Sequence, residues 1–211
     1  MEPSSADRYH SIAKPSEGLY KEKGSRFIAL AYPIRSESEV QPLLEEVRRT
    51  YHDARHHCYA WRLGIHGEPY RVNDDGEPSG SAGRPILGQM MSMELSDLLV
   101  IVVRYFGGVK LGVGGLVQAY RAATREALDA ATLSDKEIRM RFAVVFEYPR
   151  MNEVMRFVRE SGLEIESTDF AVQCSLTASI RESRAGEVRT KAASLFGFSL
   201  ETMDKFVYSP K

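Results

Sequence analysis

Five glycines, at positions 107, 108, 112, 114 and 115, lie between an apolar run and a helical pattern, with Arg104 and Lys110 beside them. The run at 98–103 is six consecutive apolar residues, mostly β-branched, the mark of a strand buried on both faces. Leu116, Ala119, Tyr120, Ala123 and Ala127 then return at helical spacing. Strand, glycine-rich loop and helix start, in that order, gather unpaired backbone N–H groups where anions bind well. The loop is not a Walker A motif, because Lys110 is followed by Leu111 and Gly112 rather than by Ser or Thr. It is not a dinucleotide fingerprint either, because Val117 stands where the third glycine would be. Two uses remain: a backbone cradle for phosphate between Arg104 and Lys110, or a tight packing turn that needs φ > 0.

A second candidate is the stretch VNDDGEPSGSAGRP at 72–85, too rich in Gly, Pro, Ser and Asp for regular structure. Loops of this length inside a domain are functional or disordered. Asp74, Asp75, Gly76 and Glu77 bring three carboxylates within four residues, which could hold a hard cation or pair with Arg84 and Arg104. Hard-cation cages recruit more oxygen ligands than this, so the expectation is turn structure plus a binding surface, with no metal site and no cofactor. His56 and His57 with His52, Asp53 and Cys58 suggest metal or nucleophile chemistry. On a strand, however, His56 and His57 point to opposite faces. A dyad of Cys58 with His56 is geometrically allowed, but no third orienting group can be named, and a single cysteine in an apolar strand is ordinarily core. Ser79 and Ser81 miss the nucleophile-elbow spacing. No catalytic residue is assigned. Tyr59, Trp61, Tyr105 and Phe106 supply aromatics for base stacking or for packing, and Trp61 is expected in the core.

The elements that must position these groups follow from periodicity. Residues 1–24 are polar and expected to be loosely held. A strand is expected at 26–34. Ser36 and Glu39 make a capping-box pattern ahead of a helix with Val40, Leu43, Leu44, Val47 and Tyr51 inward. A strand at 56–65, a helix at 86–93, the strand at 98 and the helix from 116 complete the first part, which fades at 132–137. Beyond it the pattern is strand 138–148, helix 152–161 closed by Gly162, strands 163–168 and 170–180, helix 183–196 with Val188, Ala192 and Leu195 inward, and strand 198–208. That βαββαβ order is the ferredoxin-like one.

The chain has 211 residues, 43% hydrophobic and 27% charged, with a formal net charge of −1. This is ordinary for a soluble protein and excludes a globally basic nucleic-acid binder, so any such role needs a local patch. No apolar run approaches the roughly 18 residues of a membrane span. The polar start carries no signal-peptide core, and two cysteines make no disulfide framework, so the cytoplasm is the expected compartment.

Four blocks, KGSRFIA at 23–29, YHDARHHCYAWR at 51–62, DDGEPSGSAGRPIL at 74–87 and RYFGGVKLGVGGLVQAYR at 104–121, resemble the YigZ/IMPACT family. Ser81 stands where many members have Thr. Gln118 replaces a common Arg and removes one positive charge beside the glycine loop. The resemblance implies an α+β chain. Its domain at 25–134 would be an α/β sandwich similar to the second domain of a small-subunit ribosomal protein. A ferredoxin-like domain at 135–211 would be similar to the last domain of the translocation elongation factor. It also implies a role linked to translation and supplies no reaction. The expected function is therefore a non-enzymatic protein that binds RNA, the ribosome or a translation factor. Arg84, Arg104 and Lys110 would meet phosphates, with the amides of Gly107, Gly108 and Gly112 completing the cradle. An enzyme acting on a phosphorylated small molecule or nucleotide with a divalent metal is the alternative, and a protein-interaction module is a third reading. Oligomeric state is not legible.

Overall fold

The computed structural model describes residues 7–170, 173–195 and 197–209. Tyr9–Asp135 forms one compact unit, and Lys136 onward, together with Asp7 and Arg8, forms another. The fold is mixed α/β, with two sheets and five α-helices among the described residues. No described helix is long and apolar enough to cross a membrane.

β1 (Arg8–Ile12) comes first, and in the first unit β2 (Ser16–Glu22) and β3 (Ser25–Pro33) precede α1 (Val40–Thr50). Next come β4 (His56–Arg62), β5 (Tyr70–Asn73), α2 (Gly83–Ser92), β6 (Leu98–Tyr105) and α3 (Gly112–Asp129). The sheet runs β2-β3-β6-β4-β5 and every pairing is antiparallel. β6 is central, and seven of its eight residues are buried. Its alternate side chains feed two cores, as a strand's pleat requires. Leu98, Val100 and Val102 pack with Phe27, Cys58, Ile86, Met90, Leu116 and Tyr120 on the side covered by α2 and α3. Leu99, Ile101 and Val103 pack with Leu44, Val47, Tyr59 and Trp61 on the side covered by α1. Each large aliphatic group buried there contributes about 2 kcal/mol, so β6 is the part of the unit least able to open. The capping box is present: Glu39 Oε1 accepts the Ser36 N–H at 3.1 Å ahead of α1.

In the second unit β7 (Leu133–Phe146), α4 (Met151–Ser161), β8 (Glu164–Phe170), β9 (Cys174–Arg181), α5 (Ala185–Ala193) and β10 (Phe198–Tyr208) follow one another. Their sheet has five strands, in the order β1-β7-β9-β8 with β10 also pairing β7, and the pairings of β7 with β10 and β9 and of β8 with β9 are antiparallel. Phe142, Val144, Phe146, Leu176, Ala178 and Ile180 pack on one face against Val154, Phe157, Val158 and Val188 of the helices. Gly162 ends α4 at φ +70°, the left-handed conformation that glycine adopts without strain.

Several expectations need correction. Met1–Ala6 lie outside the described residues, but the rest of the expected loose segment carries two strands. Tyr9 and Ile12 are buried, and Ser16 Oγ donates to the Ala127 carbonyl of α3 at 2.7 Å. Gly18 is required here, because a Cβ would lie 2.2 Å from the Ala127 nitrogen. β1 buries Tyr9, Ser11 and Ile12 and β2 buries only Gly18, so neither short span shows the apolar/polar alternation that marks a strand. β5 takes Val72 and Asn73 from the stretch expected to be irregular and pairs with β4. The stretch 132–137 is not a fading helix, since β7 already begins at Leu133. Leu195 is exposed rather than inward, and the expected helix end at 196 and hairpin residues 171–172 lie outside the described residues.

Candidate binding groove at the start of α3

Register sets the first pair of groups. β4 aligns His56 with Arg104 of β6, and β3 aligns Phe27 with Arg104, so all three side chains share the α3 face of the sheet. Arg104 is 7% exposed. Its Nη1 donates to Glu77 Oε1 at 2.6 Å, and the same oxygen accepts the Tyr120 hydroxyl at 2.8 Å. Cys58 Sγ donates onward to the Tyr120 oxygen at 3.3 Å. The guanidinium lies over the rings of Phe27 at 5.4 Å and Phe106 at 5.7 Å. Its Nε–H is buried without a hydrogen-bond partner. An orphaned donor on a buried charge is costly, on the order of 1–3 kcal/mol.

Arg104 and Glu77 line a groove of about 480 Å³ with Arg55, His56, Lys110 and Phe106. Leu111, Gly112, Val113 and Leu116 close its other side, so the first turn of α3 is part of the wall. That turn has no side-chain cap and no acidic residue, which leaves its amides and the positive end of the helix dipole open to a ligand. Three permanent cations thus face one carboxylate. Phe106 is 54% exposed, a large aromatic left in solvent beside those cations.

The glycines divide by role. Gly107 packs against the Gly24–Ser25 turn: a Cβ there would sit 1.9 Å from the Gly24 carbonyl carbon, and its N–H donates to Ser25 Oγ at 3.1 Å. It is a packing glycine, and its amide is engaged. Gly108 and Gly112 have φ of +88° and +72° with open space around them. Gly112 lines the groove with Lys110 and Arg104; Arg84, Gly107 and Gly108 are not among its lining residues.

Each carboxylate of the acidic loop is engaged by the protein itself. Asp74 accepts three amides, from Gly80 at 2.8 Å, Ala82 at 3.0 Å and Gly83 at 2.9 Å, and so starts α2. Burial pushes its carboxyl up, but those amides and the nearby Arg84 outweigh it, and its pKa lies below the ordinary 3.8. Asp75, at φ +42°, accepts the His57 N–H at 2.7 Å and Arg48 at 3.3 Å, and Asp75 O accepts His56 Nδ1–H at 2.8 Å. Gly76 passes close to the His56 ring. The expected partnership of the loop with Arg84 and Arg104 is therefore divided: Glu77 holds Arg104, and Arg84 acts on Asp74 through charge alone. No group of three candidate ligands able to hold a metal occurs among the described residues.

His57 points to the opposite face, buried, with a ring nitrogen 3.2 Å from the Tyr51 carbonyl. Burial holds its pKa below 6.5 despite that bond and the charge of Asp75. Cys58 is fully buried, and burial drives its thiol pKa far up, with Glu77, Asp75 and Asp74 adding to the rise. It cannot supply a thiolate at neutral pH. Trp61 and Tyr59 are core, and the Tyr105 hydroxyl donates to Asp53 at 2.6 Å. Arg55 and Tyr120 are the groove and network members that sequence reasoning missed. The strand alignment of His56 with Arg104 is the signal that could have brought Arg55 in.

A model of the Impact N-terminal domain matches residues 23–128. The chain belongs to the IMPACT family. It is 31% identical to the IMPACT family member YigZ of Escherichia coli strain K12, over 90% of this chain and 95% of the relative. It is 42% identical to an IMPACT family member from Thermus thermophilus, over 67% of this chain and 76% of that protein. A solved structure described as that of a hypothetical protein is also similar. Its TM-score is 0.66 at 29% identity, covering 94% of this chain and 98% of the other. The family match spans every residue of the groove.

Proposed function

We propose that this IMPACT-family chain is a non-enzymatic, cytoplasmic RNA-binding protein of the translation machinery, and that the groove at the start of α3 is its contact surface. The observation that carries this reading is the buried Nε–H of Arg104, which has no protein acceptor in a groove shared with Arg55, Lys110 and the uncapped turn of α3. A phosphate oxygen supplies the missing acceptor, and the surrounding cations hold its charge. Exposed Phe106 offers a face on which an unpaired base stacks. Amides from Gly112 onward, with Gly108 beside them, form the cradle. Arg84, outside the groove, meets phosphate farther along the strand. The link to translation rests on the family resemblance. So does the likeness of the first unit to the second domain of a small-subunit ribosomal protein. For the second unit, the order β10-β7-β9-β8 supports a ferredoxin-like domain similar to the last domain of the translocation elongation factor.

The test is fluorescence anisotropy with a labelled single-stranded oligoribonucleotide and co-sedimentation with ribosomes, each across a salt series. Affinity falls steeply with salt as phosphate contacts release counterions. Lys110→Glu weakens binding about tenfold or more, roughly 1.4 kcal/mol, at an unchanged melting temperature. Phe106→Ala removes a stacking contribution of about 1–3 kcal/mol. No association at low salt, or full affinity in a folded Lys110→Glu protein, overturns the proposal.

A further inference from the structure

A second concentration of arginine lies wholly within the unit that begins at Lys136. Arg8, Arg139, Arg181 and Arg184 line a cavity of about 400 Å³ together with Glu137 and Glu164. Glu137, on β7 and 4% exposed, organises it. One of its oxygens accepts Arg139 Nη1 at 3.2 Å, and the other lies 2.8 Å from Arg181 Nε and 3.4 Å from Arg8 Nε. A single carboxylate therefore fixes three guanidiniums.

Those guanidiniums are not equally engaged. Arg139 is committed to the protein: Nε donates to Ser179 Oγ at 3.2 Å, Nη2 donates to the Ser179 carbonyl at 3.1 Å and lies 2.8 Å from Glu164, and its plane covers the Tyr208 ring at 5.3 Å. Arg8 and Arg181 each meet Glu137 through Nε, on side chains 47% and 28% exposed. Arg184 reaches the Ser161 carbonyl at 3.1 Å and Glu187 at 3.6 Å outside the cavity. Within the cavity four guanidiniums face two carboxylates, an excess of two positive charges in the lining, although Arg184 also meets Glu187 outside it. Pairing for stability alone would match the signs. Excess cation, already oriented, suits a bound anion.

We infer that this cavity is a binding site for a phosphate monoester, separate from the groove on α3. A monoester dianion matches the lining's excess of two positive charges, whereas a phosphodiester or a carboxylate matches one. The Nη pairs of the partly exposed Arg8 and Arg181 present planar forks whose N–H groups phosphate oxygens accept. The volume admits the phosphate with a sugar or base attached, and Tyr208 borders the space such a group enters.

The experiment follows arginine Nε–Hε signals by NMR in the full chain carrying Lys110→Glu, which weakens the α3 groove. Inorganic phosphate, AMP, adenosine and the diester ApA are added in turn. Phosphate and AMP shift the Arg8, Arg181 and Arg184 signals saturably, and adenosine does not. Arg181→Gln lowers the affinity about tenfold, and Glu164→Gln, which removes a 70%-exposed carboxylate from the cavity without deleting a donor, raises it severalfold. If Arg181→Gln does not fold, Arg184→Gln gives the same reading at a half-exposed position. AMP binding more tightly than phosphate places a nucleotide beside Tyr208, and equal binding makes phosphate itself the ligand. Signals that do not move with phosphate, ApA binding as tightly as AMP, or Glu164→Gln without a gain in affinity overturn the inference. RNA binding at the α3 groove stands or falls separately, on Lys110→Glu in the anisotropy assay.

Discussion

The two arginine sites hold their cations in opposite ways. In the α3 groove one guanidinium is fixed by burial: Arg104 lies between two rings, with a single carboxylate and one orphaned N–H. In the cavity of the second unit, three guanidiniums are fixed by charge on Glu137, and two of them stay in contact with solvent. Burial gives one donor great strength at the cost of desolvating it. Charge gives several weaker donors that water can still reach. The first arrangement is intolerant of losing its partner, and the second is tolerant.

The sharpest way to break that contrast is Glu77→Gln. It strips the counter-charge from a buried arginine and disturbs the Tyr120 bond, and such losses cost about 3–5 kcal/mol. A urea melt measures it, and a loss under about 1 kcal/mol would place Arg104 in effectively solvated surroundings. Glu137→Gln comes next, at about 1–2 kcal/mol, because Arg8 and Arg181 turn their freed groups to water. If it equals Glu77→Gln, the two sites are not built differently. Gly107→Ala costs a similar amount, about 1–3 kcal/mol, since its Cβ meets the Gly24 backbone. Gly114→Ala, with nothing within 4 Å, is neutral or gains up to about 1 kcal/mol from helix propensity. That pair sorts the glycines of the loop into packing and open positions.

The smallest effect is a pH dependence that belongs to the first unit. The folded pKa of His57 lies below its ordinary 6.5, so the unfolded chain takes up the proton more readily. The stability that neutral His57 supports is complete above 6.5 and is lost as pH falls from there through the folded value. Thermal melts show that slope in the parent and a shallower one in His57→Gln. An unchanged slope assigns the dependence to other groups.

Much of this was legible from residue order. Leu98 to Val103 is apolar at every position because both faces of β6 are covered, and Gly162 marks a helix end because glycine accepts positive φ. The opposite facing of His56 and His57 follows from the period of a strand. What sequence could not give was pairing. That Glu77, rather than Asp74 or Asp75, holds Arg104 depends on strand register and on where Tyr120 falls along α3. Gly107 and Gly112 look alike in sequence, and only the approach of the Gly24–Ser25 turn separates them. The Glu137 cluster gathers Arg8 with residues more than a hundred positions away, which no local pattern encodes.

The stretch 74–83 has the composition of a tether, yet a single carboxylate ties three of its amides. One wall of the α3 groove is therefore cast when the chain folds rather than when a ligand arrives. A ligand meeting it finds its shape waiting, so association there is governed by encounter and charge, with little loop ordering to slow it. The amide protons of Gly80, Ala82 and Gly83 should exchange with solvent as slowly as those of a helix interior, and should quicken together when acid neutralises Asp74.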